Sequence, residues 1–408
     1  MSRRLLIIGV SLFFTFKIQA QEVSFSVQAH QDDWQLFMSS KIVADLEAGG
    51  KVVFITLTAG DAGNGAGGYS PGGPFYLTRE NGSVYSSKFV ADLTSVTPPS
   101  PIPLASTVVV NAHNINKYVY GNTVNYFLRL PDGNGDGGGF PSTGDVSLEK
   151  LKANTIPSIT AVDNSATYTG WSDLTNTIQA IINIERGVDN QVWMYTANLN
   201  TVVNPDDHSD HIYSGVAGQD AVVSMLWVGI SEFIDYASAT MMGNLSATDH
   251  ENAAAIFSLT EWGIIEKEYS SNFDEGHKSW LPMDYFTVKR SPVGNAPFAI
   301  QGKDNPADDN ISTNQKPGLT SIPMIVSITS PATADKDLSM IISPYETGEI
   351  TTTLYDSDGN KKFDTKTKVV NKEPLLINLA KPFSVKGNYT VVNTLNGKYI
   401  ETRKITVE

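Results

Sequence analysis

The sequence predicts an α/β protein with a mostly parallel sheet and flanking helices, followed by a small C-terminal antiparallel β-sandwich. Three observations predict it. Strand segments alternate with helical periodicities through roughly the first 290 residues, the pattern of βαβ units. Glycine-rich loops follow two of the strands, where open α/β sheets place ligands. From residue 323 onward the pattern changes to short alternating segments broken by turn signals.

The elements follow in chain order. Residues 1–20 read as a secretory signal: Arg3 and Arg4 lead into the apolar run Leu5–Phe16, and the small residue Ala20 suits cleavage before Gln21. Lys17 departs from that pattern. A membrane anchor is the other reading, but the run is short of the ~20 apolar residues that span a bilayer. No later segment is long and apolar enough to span one, so the mature chain is expected outside the cytoplasm without a transmembrane segment. Val23–Gln28 is a strand leading into His30. From Asp33 to Leu46 the residues Trp34, Phe37, Met38, Ile42, Val43 and Leu46 recur at helical spacing until Gly49 and Gly50. Lys51–Thr58 reads as a buried strand, and this strand–helix–strand order makes the sheet Rossmann-like and parallel. Ser106–Asn111, Thr123–Leu130 and Gln191–Ala197 are further strands. Leu174–Ile184, the stretch from His208 to about Met225, and Ala247–Tyr269 are helices. One domain over residues 21–290 accounts for all of these.

Residues 291–322, breaker-rich and polar, read as a linker. Residues 323–408 hold the strands Ser339–Ile342, Thr351–Tyr355, Leu375–Leu379 and Tyr389–Asn393. Asp358-Gly359 and Asn396-Gly397 mark hairpins. A small sandwich follows.

Composition narrows the function. The chain has 408 residues, 41% of them apolar, enough for a substantial core; no internal repeat is visible. It has no cysteine, so disulfides, thiolate metal sites and cysteine nucleophiles are excluded, and any metal must be held by His, Asp and Glu. The formal charge is −14; without Arg3, Arg4 and Lys17 the balance is 26 basic to 43 acidic residues, or −17. Such a surface repels phosphate backbones, which argues against a nucleic-acid partner.

Two motifs carry chemistry. Ala29-His30-Gln31-Asp32-Asp33 lies where a strand gives way to a helix, and packs a histidine beside two carboxylates. Taken alone it reads equally as a helix N-cap. His208-Ser209-Asp210-His211 opens a later helix, where residues three apart share a face. Alone, it reads equally as a solvated turn after Pro205-Asp206-Asp207. Together, in two strand-to-helix loops of one domain, they point to a metal.

These residues resemble the PIG-L or LmbE-like de-N-acetylases, which remove acetyl groups from N-acetylglucosamine-containing compounds using zinc. AHQDD, TAGDAG at Thr58–Gly63 and HSDH carry the resemblance, and YLTRENG at Tyr76–Gly82 and LRLPDG at Leu128–Gly133 are similar as well. It covers most of residues 23–270. It implies His30, Asp33 and His211 as zinc ligands, Asp32 as general base, and His208 as the oxyanion-stabilising or proton-donating residue. The more usual motif is AHPDDE; here Gln31 stands for Pro and Trp34 for Glu, neither a ligand position. Two His and one carboxylate leave zinc open to water, and suit iron(II) too. Bound zinc lowers the pKa of water, Asp32 takes the proton during attack on the acetyl carbonyl, and zinc with a protonated His208 stabilises the oxyanion. The leaving amine is protonated by Asp32 or His208.

Arg79 is a candidate for a sugar hydroxyl, against a surface ion pair with Glu80 or another acid. Asp61 and Asp132 are candidates to grip hydroxyls from their glycine-rich loops, against ordinary turn chemistry. Asp132, Asn134, Asp136 and Gly137 begin a calcium loop, but the twelfth position is Thr143, so the match fails and a mobile loop is expected. His113, His250 and His277 lack a paired motif; no serine sits in a nucleophile elbow. Trp171, Trp193, Trp262 and Trp280 read as packing. Residues 327–408 resemble the sorting domain of type IX secretion cargo, through Asp358-Gly359, the run LINLAKPFSVKGNYTVV and the strand Arg403–Val407. That implies the type IX machinery as a partner and an extracellular or surface location. A generic sandwich that binds carbohydrate or spaces the enzyme would leave the protein periplasmic. The leading expectation is a secreted zinc de-N-acetylase with an amino-sugar or glycan substrate. Its rivals are a carbohydrate-binding surface protein with a non-catalytic metal site and a metal-dependent amidase on a non-sugar substrate.

Overall fold

The computed structural model describes residues 23–67, 72–95, 99–101, 105–187, 192–226, 228–290, 325–328, 332–333, 336–342, 347–356, 360–370, 375–383, 385–395 and 398–408. The expected signal, the linker and both hairpin dipeptides lie outside these residues.

The larger unit begins with β1 (Val23–Gln28), α1 (Asp33–Phe37), α2 (Ser39–Glu47) and β2 (Lys51–Thr58). Next come α3 (Phe75–Thr94), β3 (Ser106–Val110), β4 (His113–Tyr120), β5 (Thr123–Leu130), α4 (Leu148–Lys152), β6 (Ser158–Thr160), β7 (Thr167–Thr169) and α5 (Gly170–Arg186). It closes with β8 (Val192–Ala197), α6 (Ser209–Val222), β9 (Val228–Phe233), α7 (Ala247–Ile265), α8 (Glu275–Trp280) and β10 (Phe286–Arg290). Its sheet has the order β10-β9-β8-β1-β2-β5-β4-β3. The five strands from β9 to β5 are mutually parallel. Antiparallel β10 closes one edge, and β4 and β3 close the other.

Alternation along β1 shows how the layers form. Val23, Phe25 and Val27 face a core shared with Leu174, Ile178, Ile181 and Ile182 of α5 and Ala217, Ala221 and Val222 of α6. The opposite face of the sheet carries Val52 and Phe54 of β2 against Trp34, Ile42, Val43 and Leu46 of α1 and α2, Val90 of α3, and Ile256 and Phe257 of α7. Period-2 strands thus feed two helical layers. α3 and α7 touch backbone to backbone: a Cβ on Gly82 would fall 2.2 Å from Thr260 O, and one on Gly263 would fall 2.4 Å from Gly82 N.

The expected helix from Asp33 to Leu46 is two helices. Met38 leaves helical geometry at φ −132°, ψ 4°, and separates α1 from α2. Apolar periodicity continues across it because both pieces bury the same face. β4, β9 and α3 are elements the periodicity does not reveal. α3 buries Thr78, Arg79, Glu80, Ser83, Ser86 and Ser87, so it has no clean apolar stripe.

The C-terminal residues form two antiparallel sheets. β11 (Ile325–Ile328), β12 (Leu338–Ile342) and β15 (Leu375–Leu379) make one. β14 (Lys361–Val369), β13 (Gly348–Asp356), β16 (Gly387–Leu395) and β17 (Lys398–Val407) make the other. Leu338, Met340, Ile342, Ile377 and Leu379 of the first share a core with Ile350, Leu354, Val391, Leu395 and Ile405 of the second, as in a sandwich. Among the described residues no helix is long and apolar enough to cross a membrane.

Candidate active site

Every candidate gathers at one edge of the sheet, where the parallel strands end. The chain leaving β1 carries His30, Asp32 and Asp33; β2 leads to Asp61, β5 to Asp132, β8 to His208 and His211, and β9 to Asp235. Parallel strands aim all their C-terminal loops to the same side, so residues from five segments meet there.

The meeting point is a triangle of lone pairs. Oδ2 of Asp33 accepts from the N–H of Ala29 at 2.9 Å and of His30 at 3.0 Å. Its Oδ1 is thereby aimed at two imidazoles, 3.5 Å from His30 Nδ1 and 3.3 Å from His211 Nε2. The two nitrogens are 3.1 Å apart. A tetrahedral ion with bonds of about 2.0–2.1 Å holds its ligand atoms about 3.3 Å from each other, so the triangle fits one. Asp207 Oδ1 lies 2.8 Å from His211 Nδ1. With the proton on Nδ1 this bond turns the Nε2 lone pair inward, as outer carboxylates do for metal-binding histidines.

Two neighbouring groups compete as cation sites, His30 with Asp132, His208 and Asp210, and Asp207 with His211 and Asp235. Asp210 Oδ1 and Asp235 Oδ1 are buried without a hydrogen bond among the described residues, and the other carboxylate oxygens are partly engaged. Asp132 accepts from Asn134 N and Ala62 N, Asp210 from Gly133 N, and Asp207 from His208 N and Asn204 Nδ2. His30 Nε2 is buried without a hydrogen bond, 3.7 Å from Asp210 Oδ2 and 3.9 Å from Asp132 Oδ2.

The electrostatics favour a cation. Burial opposes charge on His30, yet Asp210, Asp33 and Asp132 outweigh it and raise its pKa to about 10. His211 is raised well above its usual value, Asp33 and Asp207 overcoming burial. Asp33 is held well below the carboxylate range by His211 and His30, again against burial. These carboxylates hold protons on the imidazoles, and a metal ion would displace them.

The His208 ring stands 4.8 Å from that of His30, and Asp32 adjoins Asp33 in the chain. Arg79 Nη2 binds Asp32 Oδ1, and Oδ2 of Asp32 carries no hydrogen bond among the described residues. His208 is the N-cap of α6, with Nδ1 accepting from Asp210 N at 3.1 Å. That fixes the proton on Nε2. Burial, with His30 and His211 beside it, pushes His208 down to about 3. With Nδ1 accepting, the ring presents Nε2–H as its donor.

The other candidates sort by their partners. Arg79 pairs with Asp32 rather than with a surface acid, while Glu80 takes Arg129. Asp61 is fully buried and receives Asp132 N at 2.9 Å and Gly65 N at 2.7 Å, so its carboxylate joins the two glycine-rich loops. The loop expected to be mobile is stitched down: Ser147 Oγ donates to Gly137 O, Lys150 Nζ to Gly138 O, and Ser209 N to Gly135 O. Trp34 stacks on Phe54 in the core at 4.6 Å. His113 pairs with Asp173, and His277 stacks on Phe257. Trp280 stacks on Tyr236, whose ring stands 5.0 Å from that of His211. Sequence reasoning gave no role to Asp207, Asp210 or Asp235. An Asp four residues before a ligand histidine was the available signal for Asp207; Asp235 follows a strand that was not foreseen.

No family model and no curated protein sequence matches the chain. Among solved structures, N,N'-diacetylchitobiose deacetylase from Pyrococcus horikoshii is 12% identical, over 66% of this chain and 79% of its own, with a TM-score of 0.35. The 4-carboxy-2-hydroxymuconate hydratase GalB from Pseudomonas putida is 10% identical, over 64% and 83%, with a TM-score of 0.31. Dimeric latent PorU from Porphyromonas gingivalis is 17% identical over 21% of this chain, with a TM-score of 0.18; this chain spans 9% of it.

Proposed function

We propose that the chain is an exported, zinc-dependent hydrolase of the PIG-L or LmbE-like kind, removing the N-acetyl group from an amino-sugar substrate. One observation carries the reading: His30 Nδ1, His211 Nε2 and Asp33 Oδ1 converge at tetrahedral spacing, with the His208 ring 4.8 Å from that of His30 and one carboxylate oxygen of the adjoining Asp32 left unengaged among the described residues.

His30 Nδ1, His211 Nε2 and Asp33 Oδ1 would hold the ion. A divalent cation there supplies Lewis acidity toward an amide carbonyl and acidifies water. Asp32 Oδ2 takes the proton of the attacking water. His208 Nε2–H donates to the oxygen that gains negative charge at the tetrahedral stage. Neutral His208 would have to become an imidazolate to give its proton away, so Asp32 passes the proton it took to the amine as the C–N bond breaks. Acetate and a free amine leave. The amino sugar rests on the motif resemblance, the export on residues 1–20, and a sorting role for residues 323–408 on their likeness to type IX cargo.

The test is acetate release from N-acetylglucosamine, from its oligomers, and from N-acetyl compounds without a sugar. Release from the sugars alone supports the reading. Equal release from the non-sugars makes the protein a general amidase. Glycan binding with zinc bound and no acetate makes the site non-catalytic.

A further inference from the structure

Arg79 has two readings, a contact to substrate or a support for Asp32. Its buried surroundings decide between them. The residue is 9% exposed, and each terminal nitrogen of its guanidinium has a protein partner. Nη2 binds Asp32 Oδ1 and Nη1 donates to Gly60 O at 2.8 Å. Nε is enclosed with no hydrogen bond, out of reach of solvent and so of substrate. Asp132 and Asp33 add to the field that keeps it charged against burial, after Asp32.

The space around the guanidinium is equally specific. Gly60 sits at φ +52°, and a Cβ there would fall 2.4 Å from Arg79 Nη1 and 2.8 Å from Gln31 Oε1. Gln31 in turn donates from Nε2 to Ala59 O at 2.9 Å. Any side chain at position 60 would drive the guanidinium off the carbonyl it holds. Arg79 is rigid at its other end as well, because α3 is pressed onto α7 at Gly82 and Gly263.

We infer that Gly60, Arg79 and Asp32 form a latch in which Arg79 is a positioning residue. It grips one oxygen of Asp32 and fixes the carboxylate plane, so that the other oxygen is presented to the reacting water. A planar guanidinium with donors on two nitrogens, one on the carboxylate and one on a backbone carbonyl, defines that plane; an ammonium offers its donors from one rotating atom and fixes no plane. This rests on the de-N-acetylase reading for its kinetic consequence, but not for its structural one.

The experiment therefore has two readouts on zinc-loaded full-length protein. In the first, crystal structures of Arg79→Gln and Arg79→Lys are compared with the wild type. The latch predicts that Asp32 swings out of place in Arg79→Gln while the zinc and its three ligands stay put. An unmoved Asp32 overturns it, whether or not the protein is active. In the second, kcat and KM are measured on an N-acetylated sugar that the wild type hydrolyses. Misplacing a catalytic group by about 1 Å costs roughly 10²-fold, so Arg79→Gln should lose about that in kcat with KM little changed. Arg79→Lys should recover part of it, and Gly60→Ala should fall between. A raised KM with kcat preserved would make Arg79 a substrate contact and overturn the latch. A wild type that hydrolyses nothing overturns the proposed function and leaves the crystallographic arm to decide the latch.

Discussion

The two ends of β1 both bury charge, and they do it differently. At the N-terminal end Asp45 receives Lys41 Nζ, Ser24 Oγ and Tyr195 OH. This carboxylate meets an ammonium and hydroxyls, and both of its oxygens are used. At the C-terminal end Asp32, Asp33, Asp132, Asp207, Asp210 and Asp235 crowd around three histidines and Arg79, and one side-chain atom each of His30, Asp33 and His211 converges on the others. A balanced, fully bonded network is structure. An unbalanced one whose acceptors converge is a place for a cation.

The comparison breaks most decisively at the ligands. His211→Ala should abolish zinc binding, measured as metal per chain, and with it all hydrolysis. It should also remove the stabilisation that wild type gains from zinc, about 2.7 kcal/mol at a free concentration of one hundred times Kd. Next in size, Asp32→Asn should keep the metal and lose roughly 10³-fold in kcat, within the usual range for a general base. His208→Ala should lose about 10²-fold, as for a single oxyanion donor.

The N-terminal end should respond in the opposite way. Asp45→Ala leaves the Lys41 ammonium buried without its carboxylate, which should cost about 3–5 kcal/mol in urea unfolding, with kcat per folded molecule unchanged. A fall in kcat without a fall in stability would mean the two ends are coupled through β1.

The smallest expected effect concerns pH. Burial pushes Asp284 up to about 7, only partly relieved by Ser40, Lys41 N and the Lys41 charge. Its unfolded value is near 3.8, so between these values the folded state binds more protons. The contribution to stability is present below about 3.8 and is lost as pH rises through about 7. Asp284→Asn should flatten that fall in the urea midpoint; an unchanged slope would place its origin elsewhere.

The sequence made the α/β class readable because β1, β2, β5 and β8 are short apolar runs between turn residues, and because α5 carries apolar periodicity. It did not reveal α3, whose buried face is Arg79, Glu80 and serines that look like an exposed surface until their partners are known. His30, Asp33 and His211 were legible as two local motifs. Asp207 beside His211 was not, since Pro205-Asp206-Asp207 reads equally as a turn. Arg79 and Asp61 were legible as candidates but not in their roles: each is fixed by contacts from distant segments, to Asp32 and Gly60 in one case and to Asp132 and Gly65 in the other. His208 was legible as a candidate, but the tautomer of its ring depends on one backbone N–H at the start of α6.

The central claim is that one cation sits among His30 Nδ1, Asp33 Oδ1 and His211 Nε2. Anomalous diffraction from zinc-soaked crystals at the zinc edge tests it directly. The account predicts a single strong peak about 2.0–2.1 Å from each of those atoms. A peak seated instead among Asp132, His208 and Asp210, or between Asp207 and Asp235, would contradict it.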